Sequence, residues 1–125
     1  MLFRSGICQV ATTLFQSVFW AGYQLEERYW HLYWIPNYTS RDVVGIDATV
    51  DSDSGLDFKW VNPTEDFVLI QSVTEGDKVT FRLLGRKPAW TVQLDPPAIS
   101  NRVAPSTGLD VQVEQIGRAS CRERV

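Results

Sequence analysis

The chain has 125 residues, 44% of them hydrophobic and 22% charged, with a formal net charge of −3. That length supports one domain with a core and excludes two, and the charge excludes broad attraction to nucleic acid or to an anionic membrane surface. No apolar run is long enough to span a bilayer, and Met1-Leu2-Phe3-Arg4 lacks the charged and apolar regions of a signal peptide.

The first element is a helix over residues 9–23. Val10, Leu14, Val18 and Ala21 recur at spacings of three and four, with Phe15, Phe19 and Gly22 on an adjoining stripe. Ser5 and Gly6 are candidate N-terminal caps, and Gly22 is the expected stop, because glycine accepts the left-handed conformation that ends many helices. This places Cys8 at or just before the first turn. Beyond Gly22 the period changes to two. Extended segments are expected over 24–28 and 31–35, the second ended by Pro36, then a polar loop over 37–45 and a short strand over 46–50. Asp51-Ser52-Asp53-Ser54-Gly55 reads as a turn, residues 56–61 as a strand, and Asn62 to Asp66 as another turn. Residues 67–73 and 78–84 read as strands joined by a tight hairpin loop, and 89–94 as a final strand. The expected fold is α+β: one N-terminal helix packed on a mainly antiparallel β-sheet of about six strands.

From Asp95 onward, Pro96, Pro97 and Pro105 among scattered polar residues predict an extended linker, assigned to residues 104–115 after a domain over 1–103. The ending Ile116-Gly117-Arg118-Ala119-Ser120-Cys121-Arg122-Glu123-Arg124-Val125 resembles the in-frame translation of a common sequencing adapter, so 116–125 is expected to be non-native. Removing its three Arg and one Glu from the 12 basic and 15 acidic residues leaves 9 and 14, a net −5, and leaves Cys8 as the one cysteine.

The chain has a single histidine, and Cys8, His31 and Asp47 are the candidate catalytic residues. A cysteine at a helix N-terminus sits near the positive end of the helix dipole, which favours the nucleophilic thiolate. An imidazole can accept or return its proton, and a carboxylate can fix the imidazole tautomer. The set is chemically sufficient for acyl transfer. Against that stand blander roles: a lone cysteine is more often a small buried hydrophobe, and an aspartate like Asp47 often bonds nearby backbone amides. Gln9 and Thr12 on the helix, and Trp30 and Trp34 flanking the histidine, are the candidate substrate-binding residues. Aromatic faces can stack on sugar rings, although most of the cluster Phe19, Trp20, Tyr23, Tyr29, Trp30, Tyr33, Trp34 and Tyr38 is expected to be core. One His and one Cys do not make a zinc set, and Asp51, Asp53 and Asp57 lack the spacing of a calcium loop, so no metal and no cofactor is expected. No Walker loop, dinucleotide glycine pattern or nucleophile elbow is present.

The run Gly6-Ile7-Cys8-Gln9-Val10-Ala11-Thr12-Thr13-Leu14 resembles the signature of the VanW-like family, and further blocks follow in order: Glu27-Arg28, His31, Gly45-Ile46-Asp47-Ala48-Thr49-Val50, Leu56-Asp57-Phe58-Lys59 and Leu69-Ile70-Gln71. Arg4-Ser5 stand where the family has glycines, and Ala11 where it has serine. The family's domain extends upstream of the cysteine block, so the chain is expected to be a piece cut at both ends. The resemblance implies a bacterial cell-envelope module, associated with peptidoglycan and with some glycopeptide-resistance clusters, in an extracytoplasmic setting. A shorter likeness to transglutaminase-like enzymes implies a Cys-His-Asp amide hydrolase or transferase. A purely structural scaffold is the third expectation.

Overall fold

The computed structural model describes residues 4–96, 98, 100 and 101; the expected linker at 104–115 and tail at 116–125 lie outside them. Helix α1 runs from Arg4 to Ala21, so it begins five residues earlier than its periodicity indicates. Its end follows the glycine. Gly22 has φ 75°, its N–H donates to Phe19 O at 3.0 Å, and the Tyr23 N–H donates to Val18 O at 3.2 Å. These two bonds form a Schellman cap, and Val18 and Tyr23 are both buried. The Trp90 indole donates to Ala21 O at 2.9 Å and satisfies another terminal carbonyl.

Strand β1 (Gln24–Glu27) pairs antiparallel with β2 (Lys59–Val61), with a register shift between Leu25 and Glu27. Strands β3 (Val68–Glu75) and β4 (Lys78–Gly85) form a long hairpin in unbroken register, from Val68 opposite Gly85 to Glu75 opposite Lys78. Gly76 opens its two-residue loop at φ 61°. The α+β class holds, but the single six-stranded sheet does not. Among the described residues there are four strands in two small two-stranded sheets. Residues 31–35, 46–50 and 89–94 form no strand.

The core lies where α1 meets the loop segment 46–48. Phe15, Val18, Phe19, Ile46 and Ala48 are buried, with Trp20, Val43, Phe58 and Leu94 packed around them. Phe15 meets Phe58 edge-on at 5.6 Å. The helix face that turns inward is therefore the Phe15–Phe19 stripe, and Val10 is left 42% exposed. The reason is polar. Thr12 is buried, and it belongs to a hydrogen-bonding row that hydrophobic periodicity does not register.

Candidate functional site

That row holds the site together. The Cys8 thiol donates to Val50 O at 3.5 Å. The Thr12 hydroxyl donates to Ala48 O and accepts from Ala48 N, both at 3.1 Å. The Gln16 amide donates to Ile46 O at 2.9 Å and to Tyr38 O at 2.8 Å. Four helical residues rise about 6 Å, and two extended residues span about 6.6 Å. Helix positions 8, 12 and 16 thus match segment positions 50, 48 and 46, running in opposite directions. An extended segment without a strand on this side has its carbonyls satisfied by helix side chains instead.

The opposite edge of the same segment faces the loop after β1. Thr49 N donates to Tyr29 O at 2.8 Å. Arg28 donates through Nε to Asp47 O at 2.8 Å and through Nη2 to Gly45 O. The Arg28 guanidinium also lies 4.8 Å over the Phe15 ring. Burial pulls the Arg28 guanidinium below its ordinary value, and the Asp47 charge offsets part of that.

Asp47 is the junction. Its Oδ2 accepts the His31 backbone N–H at 2.9 Å and contacts His31 Nδ1 at 2.5 Å. Its Oδ1 lies 3.8 Å from Arg28 Nη2. Both side chains of the His31–Asp47 pair are largely shielded, at 16% and 13% exposure. A carboxylate only accepts, so Nδ1 carries a proton, and in the neutral ring Nε2 is left as the acceptor. One face of the imidazole is met by Tyr38, with ring centroids 5.2 Å apart and planes tilted by 51°. Tyr38 ends a short 3-10 turn, Pro36–Tyr38. Burial, then the negative charge of Cys8 and of Asp47, raises the Tyr38 phenol above its ordinary value.

Cys8 is a free, half-buried thiol. It sits in the second turn of α1, not at its start, because the helix begins at Arg4. Its backbone is inside the helical ladder, and the dipole's benefit falls off within the first turn. The thiol's hydrogen-bond partner is the Val50 backbone carbonyl; of the three candidate residues, the structure brings His31 and Asp47 into direct contact, and Cys8 is hydrogen-bonded to neither. A surface cavity of about 570 Å³ is lined by Ile7, Val50, Asp51, Leu56, Asp57 and Lys59 among others; Cys8, His31 and Asp47 do not line it.

Of the other residues singled out in the sequence, Gln9 is exposed beside Cys8, and its carbonyl accepts the Thr13 hydroxyl. Thr12 is buried, with its hydroxyl engaged by Ala48, so it holds the segment. Trp30 and Trp34 are 55% and 48% exposed on either side of His31. Tyr29 and Tyr33 are exposed with them, while Phe19 and Tyr23 are core. Arg28, Gln16 and Tyr38 were not singled out as site residues. Arg28 belonged to a block that carried the family resemblance, and Gln16 lies at helical spacing from Cys8 and Thr12. Tyr38 stands in the sequence only as a member of the aromatic cluster, two residues after Pro36. Among the described residues no group of three or more His, Cys, Asp or Glu is arranged to hold a metal ion. No helix there is long and apolar enough to cross a membrane.

The family profile described as "VanW like protein" matches residues 3–84. The chain is also 38% identical over 78 residues to the uncharacterized protein YoaR of Bacillus subtilis (strain 168). That alignment covers 62% of this chain and 24% of the relative, so the match spans about a quarter of the relative's length. No solved structure matches. All of the row Cys8, Thr12 and Gln16, the Arg28–Asp47–His31 chain and Tyr38 fall inside the matched residues.

Proposed function

The chain belongs to the VanW-like family, and we propose that Cys8, His31 and Asp47 form a thiol site for acyl transfer on amides in a bacterial cell-envelope protein. The observation that carries this reading is the 2.5 Å contact between His31 Nδ1 and Asp47 Oδ2, which orients a neutral imidazole with Nε2 as its open base. In the reaction Cys8 gives its proton to Nε2, and sulfur attacks the amide carbonyl. The carbon–nitrogen bond breaks, and the amine leaves with the proton from His31. Water or a second amine then releases the acyl group from sulfur. General acid–base work of this kind is worth about 10²- to 10⁴-fold. The family setting supports peptide amides of the cell wall as the substrate class and an extracytoplasmic location. The exposed Trp30 and Trp34 beside His31 support contact with wall glycan.

Incubation with an activated ester, p-nitrophenyl acetate, tests this. The reading expects an acetyl adduct on Cys8, found by mass spectrometry, that accumulates in the wild type and is lost with His31→Ala. Equal labelling in both proteins counts against it.

A second reading, a scaffold without catalysis, has its own support: the Cys8 thiol is bonded to Val50 O in the same series as Thr12 and Gln16. It expects Cys8→Ser, which keeps a donor, to leave binding to purified peptidoglycan unchanged.

A further inference from the structure

We propose that Tyr38 is a positioning residue of this site, its ring packing on the His31 imidazole and holding it in the orientation that Asp47 sets. This rests on the thiol-site reading above and adds a fourth member to it. Asp47 controls the imidazole at one edge only, through Nδ1. A ring held at one atom can still swing about that contact. The Tyr38 ring, 5.2 Å away between centroids, blocks one direction of that swing.

Tyr38 is itself fixed. The Gln16 amide bonds the Tyr38 carbonyl at 2.8 Å and the Ile46 carbonyl at 2.9 Å. One helix side chain therefore ties the Tyr38 turn to the segment that carries Asp47. The turn is stiffened further by Pro36 at its first position and by the bond from Thr39 N to Pro36 O at 3.1 Å. A phenol is uncharged at neutral pH, and the Tyr38 phenol is raised further above its ordinary value.

The chain has one histidine, so ring 15N spectra report His31 alone. The first measurement needs no variant: the wild type must show nuclear Overhauser contacts between Tyr38 ring protons and the His31 ring. Their absence overturns the proposal. The second compares Tyr38→Leu, which removes the ring, with Tyr38→Phe, which keeps it. Tyr38→Leu should move the His31 ring nitrogens from one tautomer towards a mixture. It should also slow iodoacetamide alkylation of Cys8 at pH 7 by about fivefold or more, short of the ~100-fold that a 1 Å misplacement can cause. Tyr38→Phe should keep both readouts at wild-type values, which it would not do if the hydroxyl rather than the ring carried the role. Wild-type tautomer and rate in Tyr38→Leu refute the Tyr38 role while His31→Ala still slows alkylation. If His31→Ala also leaves the rate unchanged, the thiol-site reading falls first and takes this proposal with it.

Discussion

Replacing Asp47 with Asn keeps the shape of the side chain and removes its charge, at the point where Arg28, His31 and two backbone stretches meet. The carboxylate accepts two bonds from His31, at 2.9 and 2.5 Å, and faces Arg28 Nη2 at 3.8 Å. Two unit charges at that separation attract by about 4 kcal/mol at an effective dielectric of about 20. Arg28 and Asp47 are only 17% and 13% exposed, so water replaces little of this. Against it stands the desolvation that already lowers Arg28. Removing one partner of a buried pair costs about 3–5 kcal/mol, chiefly because the other charge is stranded. The 3.8 Å separation and residual exposure place Asp47→Asn below that range, at about 2–3 kcal/mol. Arg28→Ala leaves Gly45 O and Asp47 O without their donors and should cost about 3 kcal/mol. The double variant should cost at least about 1 kcal/mol less than the sum, because no charge is then stranded. In urea, with a slope of about 1.2 kcal/mol per molar, each single variant lowers the midpoint by about 2 M without changing the slope. Asn also presents an amide that can donate to Nδ1, so the His31 tautomer should change. An Asp47→Asn midpoint within about 0.4 M of wild type, or strict additivity in the double variant, would refute the junction described here.

Thr12→Val keeps the volume and deletes the hydroxyl that serves both Ala48 N and Ala48 O. It should cost about 2–3 kcal/mol in thermal or urea unfolding, whereas Thr12→Ser should recover most of that. Gly22→Ala should cost more than about 1 kcal/mol, since a Cβ at φ 75° would lie 2.6 Å from Val92 Cγ2 and 2.7 Å from Trp90 Nε1. An unchanged melting temperature would show that the 90–92 segment does not close over the helix end. Tyr38, raised above its ordinary value, binds its proton more tightly in the folded chain than in the unfolded one. Its contribution to stability is complete below the unfolded value of about 10 and is lost as pH rises through the folded value. Ultraviolet difference titration should show that the ionisation missing in Tyr38→Phe is one above the ordinary tyrosine range.

Glycine and hairpin chemistry were legible in the sequence because they act locally. Gly22 ends the helix where its freedom at positive φ indicates. The Glu75–Lys78 turn joins an apolar run and its partner, which pair antiparallel as the tight hairpin loop between them requires. Cys8, His31 and Asp47 were visible as chemically capable residues, and His31 and Asp47 do meet. What escaped was long-range and polar. Residues 46–50 have the β-branched, alternating look of a strand. Their carbonyls are instead served by Cys8, Thr12 and Gln16 on one edge and by Arg28 on the other. No period of apolar residues encodes that exchange of a ladder for side-chain donors. The helix start was misplaced for a similar reason: Gly6 and Ser5 read as caps, yet the chain is already helical from Arg4. Tyr38 reaches His31 only once the 3-10 turn folds back.

The most direct test is the rate of iodoacetamide alkylation of Cys8 near pH 7 in the folded chain, with and without the His31 ring. If sulfur, imidazole and carboxylate work as one unit, His31→Ala should slow the reaction by about tenfold or more, within the range of general-base assistance, and Asp47→Asn should follow in the same direction. Identical rates in all three proteins, with circular dichroism showing each one folded, would contradict it and leave Cys8 as a hydrogen-bonding post on the helix.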